Sequence, residues 1–393
     1  MRVLLVHNHY QRPGGEDHVF ETEGEILERA GHAVARLALH NSAVDGLSTA
    51  ALAGRTVWSA EGRRLVFGAA RRHRAEVVHF HNWLPLVSPA GYYGARAAGA
   101  AVVQTLHNFR LVCPGALLFR DGQVCERCVG RAFAAPGVRH GCYRGSRAAT
   151  LAVAASTAAH RAAGTWHRAV DRYVAITDFS RRKHVEGGLP TEKIAVKANA
   201  LGHAPPVAPG GGGYAILAAR LDVGKGIETV ARAWRRHPDL PPLVVCGDGP
   251  LAHHAADAAR DLGDRFQFLG WQSRKEMERV RSGADLFVFP SEWHEGGTPM
   301  AFVEALAAGV PSVASDVGAV RCMVEGGREA RLFPPADADA LAAAVRETWA
   351  DGAARARMGR AARATFERNH TADATLRALR QIYADALAER HRA

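Results

Sequence analysis

The sequence predicts an α/β fold: two doubly wound, parallel-sheet domains flanking a cleft, followed by a helical tail. Three observations point there. Short apolar runs alternate with segments of helical spacing, the pattern of a parallel sheet covered on both faces. The alternation is interrupted once, by Ala204-Pro-Pro-Val-Ala-Pro-Gly-Gly-Gly-Gly213, and then restarts. At 393 residues the chain is also too long for one ordinary core.

The first strand is Arg2-Val-Leu-Leu-Val-His7, and residues 8–15 form a loop ending in Gly14-Gly15. Residues 16–30 carry Val19, Phe20, Ile26 and Leu27 at helical spacing behind the acidic pair Glu16-Asp17, and the helix ends at Gly31. Residues 33–39, 76–80, 101–106 and 171–176 read as further strands. A tract as rich in proline and glycine as 204–213 builds no core and reads as a linker. Beyond it, 214–219, 242–246, 265–269, 284–289 and 312–314 are strands, and 336–393 is largely helical. These boundaries give an N-terminal domain over 1–203, a linker over 204–213, a C-terminal domain over 214–375 and a last helix over 376–393.

The net charge of +11 is one-sided. Residues 1–205 hold 26 basic against 15 acidic side chains, and residues 206–393 hold 24 against 24. A basic half favours an anionic partner: a phospholipid surface, a lipid-pyrophosphate acceptor or nucleic acid. An arginine-rich coding bias with solvated helix faces would look the same. No run approaches the roughly 18 to 20 apolar residues that span a bilayer, and the chain enters its first strand without a signal-peptide pattern. The expectation is a cytoplasmic protein, with peripheral contact at the inner face of the cell membrane if the basic half meets lipid.

The richest segment is Phe289-Pro-Ser-Glu-Trp-His-Glu-Gly-Gly-Thr-Pro-Met-Ala-Phe-Val-Glu304-Ala-Leu-Ala-Ala-Gly-Val-Pro311. It reads as a buried strand, a glycine loop and a helix from about residue 299 to 308. Thr298 suits the cap, Pro299 the first turn, and Gly309 with Pro311 the stop. Gly296, Gly297 and Thr298 would deliver backbone N–H groups at a helix N-terminus, an anion site normally used for phosphate. Glu295 in the loop and Glu304 in the helix are poor phosphate ligands but good acceptors for sugar hydroxyls. Phosphate and sugar together describe a nucleotide sugar. An ordinary strand–loop–helix connection would also place glycine and threonine here.

This segment resembles the donor-site signature of the family-four retaining glycosyltransferases, of the bacterial surface-polysaccharide type, which have the GT-B fold of two Rossmann-like domains. The resemblance implies that Glu295 contacts the donor sugar and that Glu304 holds the ribose hydroxyls. The family spacing is eight residues and here it is nine, so one extra loop residue makes Glu292 or a loop amide the alternative to Glu295. In proteins of this fold the last helix often crosses back to the first domain.

Ala218-Ala-Arg220-Leu-Asp-Val-Gly-Lys225-Gly follows the first strand of the second domain. A departing nucleoside diphosphate needs its developing charge stabilised, by a metal or by fixed cations. The family has a matching Arg and Lys at this junction, so Arg220 and Lys225 would grip the diphosphate. Gly14 and Gly15 would let the backbone approach a ligand, unless they form only a tight turn. Gly249, in Cys246-Gly-Asp-Gly249, suits a turn beside the nucleotide. His107 follows the strand 101–106, where the family places a functional histidine, and can hydrogen-bond a sugar hydroxyl. His79 and His81 end the preceding strand and by alternation share a face, as neutral groups lining an acceptor cleft more readily than as chelators.

Cys113, Cys125, Cys128 and Cys142 form a cluster with one Cys-x-x-Cys turn. Without a secretion signal disulfides are disfavoured, and the pattern suits a closed structural zinc site. An iron–sulfur cluster or four unligated thiols are the alternatives. Cys246 and Cys322 read as small apolar packing residues.

The whole implies a retaining glycosyltransferase moving a sugar from a nucleoside diphosphate sugar to a hydroxyl of a glycan or lipid-linked acceptor. No Asp-x-Asp occupies an evident cleft position, so no metal cofactor is required for catalysis. Nucleic acid is not an expected partner. The rivals are a nucleotide-sugar epimerase of the same fold and a non-catalytic binder of nucleic acid or anionic lipid.

Overall fold

The computed structural model describes residues 1–11, 14–325 and 327–392. Arg12 and Pro13 of the predicted first loop, and Ala393 at the end of the predicted tail, lie outside the described residues. The chain forms two compact units. One comprises 1–120, 125–202 and 372–393, and the other 121–124 and 203–371.

The first unit contains strands β1 (Arg2–His9), β2 (Ala33–His40), β3 (Val77–Phe80) and β4 (Ala101–Leu106). It also contains β5 (Phe119–Arg120), β7 (Arg172–Ala175) and β8 (Ile194–Val196); the two-residue strand β6 (Gln123–Val124) falls in 121–124. Six of these make one sheet in the order β2-β1-β3-β4-β7-β8, and every pairing is parallel. Val3 to Val6, all of β3 and all of β4 are buried. Such continuous apolar runs, rather than alternating ones, are what a sheet covered on both sides requires. Leu4, Val6, Val78 and Phe80 pack on one face with Tyr92 and Trp166. Val3, Leu5, Val77 and Val103 pack on the other with Leu379, Ile382 and Tyr383. Those last three belong to the helix Ala372–Arg392, so the chain's final helix covers the first unit's sheet.

The second unit holds β9 (Ala215–Ala218), β10 (Leu243–Cys246), β11 (Phe266–Gly270), β12 (Leu286–Phe289), β13 (Ser312–Ser315) and β14 (Ala330–Phe333). Their order is β11-β10-β9-β12-β13-β14, again all parallel. The helix Ile227–Arg236 shows why the sequence folds this way. Ile227, Val230, Ala231 and Trp234 fall at i, i+3, i+4 and i+7, and all four are buried. They pack with Leu341 and Val345 of the helix Ala338–Ala350.

The glycine tract, read as a linker, does not hang free. It is pinned to the second unit by Gly210 N–H to Ser282 O (3.0 Å) and Gly212 N–H to Gly283 O (2.9 Å). The Asp285 carboxylate also accepts from the N–H groups of Gly211 and Gly213 at 2.7 and 2.8 Å. Gly210, Gly211 and Gly213 adopt positive φ, so glycine there serves a docked, tightly turning path. Among the described residues no helix is long and apolar enough to cross a membrane.

Candidate functional site

In the second unit β9 and β12 are neighbours, but the chain leaves them in opposite directions, to β10 and to β13. A crevice opens beyond the carboxyl ends of two such strands. Of the predicted donor residues, Arg220 and Lys225 lie in the segment 219–226 that leaves β9, and Glu295, Gly296, Gly297 and Thr298 in the segment 290–299 that leaves β12.

The first segment is held by the loop after β10, with Leu221 N–H to Asp248 O at 2.9 Å and Leu251 N–H to Leu221 O at 3.0 Å. This contact explains Gly249. Its φ is +156°, and a Cβ there would sit 2.3 Å from Leu221 O. The structure thus gives Gly249 a packing reason that the sequence reading, which assigned it to the nucleotide, did not supply. Gly226, with φ +78°, is pressed so closely to Pro290 O that a Cβ would fall 2.0 Å away. Lys225 therefore emerges from a turn locked against the segment after β12.

The Lys225 ammonium donates to Glu295 Oε1 at 2.6 Å, and the Ser291 hydroxyl donates to the same oxygen at 2.7 Å. The ammonium also lies 5.0 Å from the centre of the Trp293 ring. Glu295 is buried and has a left-handed φ of +48°. The loop reverses there and turns its carboxylate onto Lys225. Glu292 is engaged elsewhere, accepting from Thr229 Oγ at 2.6 Å. Arg220, at the end of β9, leaves 56% of its side chain exposed, 3.4 Å from Asp222, and is open to an anionic ligand.

Gly296 and Gly297 lead into the helix Met300–Ala308. Its cap is Pro299, with no side-chain capping bond, and the Pro299 carbonyl accepts from Phe302 and Val303 N–H. This corrects the assignment of Thr298 as cap and Pro299 as first helical residue; Thr298 is buried one residue earlier. Glu304 is the fifth residue of the helix and accepts from Arg281 at 2.6 Å.

In the first unit the switch in strand order falls between β1 and β3. His81 N–H bonds Val6 O, extending β3 alongside β1. His81 Nδ1 and His107 Nε2 are 3.0 Å apart, and both residues are buried. His79 is fully buried too, bonded to Thr105 Oγ (2.7 Å) and to the Tyr383 hydroxyl (2.9 Å). It shares a face with His81 as alternation required, but it is core under the final helix and lines no cleft.

Gly14 caps the helix Gly15–Arg29, its N–H bonding Asp17 Oδ2 at 2.7 Å. A Cβ on Gly14 would meet only ordinary contacts and one on Gly15 nothing within 4 Å, so the packing of the fold does not demand either glycine. Burial raises the Asp17 carboxyl, but hydrogen bonds from His7, the Gly14 N–H and His9 outweigh it and hold the pKa at about 2. The sequence reading also passed over Glu23 and Lys197, a buried pair at 2.5 Å with His81 3.7 Å from the Glu23 carboxylate. Lys197 directly follows β8, and that short strand was not recognised.

Two trios, His7 with His9 and Asp17 and Glu23 with His79 and His81, bring ligand atoms close enough for a metal ion. Hydrogen bonds to protein partners already engage Asp17, Glu23 and His79. Burial pushes His79 down to about 3 and His184 to about 4, and His81 and His107 well below the ordinary value. These imidazoles are neutral in the fold, whereas an unfolded chain protonates them below about pH 6.5. Stability is therefore full above that pH and is lost as pH falls toward the folded values, by up to ~1.4 kcal/mol per pH unit for each histidine. Asp17 adds a loss only between about pH 4 and 2. Urea unfolding between pH 7 and 5 should show a steep decline, and a flat profile would contradict the neutral cluster.

Residues 203–365 match the family model described as glycosyl transferases group 1. A glycogen synthase of Mycobacterium tuberculosis is 30% identical over 174 residues, 43% of this chain and 41% of that one. A D-inositol 3-phosphate glycosyltransferase of Mycobacterium marinum is 32% identical over 184 residues, 44% of this chain and 39% of that one. The chain thus spans about two fifths of the length of these curated relatives. Among solved structures, Anabaena HepE in complex with UDP superposes with a TM-score of 0.69 at 16% identity, over 98% of this chain and 100% of that one. The chain has the GT-B fold. Within its second unit, residues 203–365 are similar to the glycosyl transferases group 1 family.

Proposed function

We propose that the chain transfers a sugar, with retention, from a nucleoside diphosphate sugar to a hydroxyl of a glycan or lipid-linked acceptor. The observation that carries this reading is the Lys225–Glu295 pair, at the carboxyl ends of β9 and β12 and ahead of the helix Met300–Ala308. A lone buried carboxylate beside a diphosphate would repel it; paired to an ammonium it offers a sugar-hydroxyl acceptor and a phosphate ligand together. Arg220 and Lys225 stabilise the diphosphate as the anomeric C–O bond breaks and its electron pair passes to phosphate. The acceptor oxygen bonds the anomeric carbon on the same face, and its proton goes to the leaving phosphate oxygen. His107, held neutral, is assigned to hydrogen-bonding a sugar hydroxyl. A thermal-shift panel of UDP-, GDP-, ADP- and dTDP-sugars tests the reading: one base should raise the Tm by several degrees, and no response to any would refute it.

The two glutamates divide the donor between them. Glu304→Ala should weaken binding of the bare nucleoside diphosphate and of the intact donor alike, because a ribose contact is common to both. Glu295→Gln should weaken the intact donor selectively. Calorimetry giving equal losses for both ligands in both variants would overturn the division.

The basic surplus of residues 1–205 supports placing the protein on the cytoplasmic side, against an anionic membrane face. Co-sedimentation with phosphatidylserine vesicles should be salt-sensitive; indifference to anionic lipid would contradict that placement.

A further inference from the structure

The segment from Cys113 to Cys142 is held in a defined path by very little. Between Phe119 and His140 only Cys128 and Gly137 are buried. Its regular structure is a hairpin of two-residue strands and the short helix Ala135–His140. Ala116, Leu118 and Asp121 all take left-handed φ values of +51° to +67°, a conformation unfavourable for residues that carry a side chain. A segment with so small a core and so much unfavourable backbone needs a staple.

The fold gathers the four cysteines that are far apart in sequence. Cys113 closes a turn at the end of 109–113, its N–H bonding Phe109 O, and its own carbonyl accepts from Ala116 N–H. Cys125 follows the hairpin and bonds Leu118 O through its N–H. Cys128 closes the Cys-x-x-Cys turn, and Cys142 follows the helix, its N–H bonding Gly137 O. All four line one small cavity, with room for a single ion. All four are free of disulfides. Arg120, Arg127 and His140 line the same cavity.

We propose that Cys113, Cys125, Cys128 and Cys142 bind one zinc ion as a closed, structural tetrathiolate site. Zinc is the common tetrahedral partner of four thiolates, and such a site leaves no open position for water or substrate. On binding, four thiols release four protons, and Zn²⁺ with four thiolates forms a centre of charge −2. Arg120 and Arg127 supply positive charge at the cavity wall for that centre and so are suited to the metal-loaded state. The metal's binding energy would then offset the strained backbone of the segment. Cys246, buried in β10, and Cys322, exposed, lie outside the site.

The test is metal analysis of the full chain, purified anaerobically without added metal. One zinc per chain is expected, released by a mercurial reagent with a stoichiometry of four thiols. The Cys322→Ser variant should keep its zinc and the Cys125→Ser/Cys128→Ser variant should lose it. Should the double variant fail to fold, cobalt substitution of the wild-type protein decides the ligand set, because four thiolates give intense sulfur-to-cobalt charge-transfer bands and a tetrahedral visible spectrum. Folded wild-type protein containing less than about a tenth of an equivalent of zinc would overturn the proposal. So would a brown iron-containing protein, or a cobalt spectrum lacking thiolate bands.

Discussion

Lys225→Ala is expected to slow sugar transfer by on the order of 10²-fold or more, the scale of losing a preorganised stabiliser of transition-state charge. The loss is compound. The ammonium that would meet the diphosphate disappears, and Glu295, buried and turned inward at φ +48°, keeps the Ser291 hydroxyl but loses its cation. A site that was a neutral pair becomes a carboxylate facing an anionic ligand. Arg220→Ala should also cost about 10²-fold through the charge effect alone, because Arg220 is exposed and holds no buried partner. Adding Glu295→Gln to Lys225→Ala should recover nucleotide affinity but not turnover. Rates are to be measured with the donor found by the thermal-shift panel, on variants whose Tm is unchanged. Near-normal turnover in both single variants would refute the diphosphate assignment.

Lys197→Ala should destabilise the protein by about 3–5 kcal/mol, the usual cost of leaving one member of a buried ion pair without its partner. Both side chains of the Glu23–Lys197 pair are 2% exposed, and the Glu23 carboxylate has the neutral imidazoles of His79 and His81 at 4.0 and 3.7 Å rather than another cation. The double variant Glu23→Gln/Lys197→Met should be markedly less damaged than Lys197→Ala, because it removes the charge together with its partner. Urea midpoints compare the three. A loss below about 1 kcal/mol in Lys197→Ala would mean that water or local rearrangement replaces the lysine.

The fold class was legible because parallel strands buried on both faces leave unbroken apolar runs, and ten such runs fall on observed strands. Within the two six-stranded sheets, the two strands that escaped, Ile194–Val196 and Ala330–Phe333, are outermost. An edge strand of three or four residues, partly exposed, carries too few apolar positions to signal itself. Missing the first of them also hid Lys197. Composition reports that the glycine tract cannot build core, but not that Asp285, seventy residues on, accepts from its N–H groups.

Site residues were legible where chemistry and position coincide. Lys225 and Glu295 were each chosen separately, and the fold brings them to 2.6 Å. What the sequence hid were partners from other elements: Ser291 and Trp293 around that pair, Arg281 on Glu304, and Tyr383 over His79. Gly249 shows the converse, a glycine whose loop motif suggested a ligand and whose neighbour, Leu221 O, explains it by packing.

In the proposed donor site, the crevice at the ends of β9 and β12 holds a nucleoside diphosphate through Lys225. Calorimetric titration of wild type and Lys225→Ala with UDP, GDP, ADP and dTDP tests it most directly. One of these diphosphates should bind the wild type with a single site per chain, and Lys225→Ala should bind it at least tenfold more weakly. Absence of binding by every diphosphate, or equal affinity in the two proteins, would contradict it.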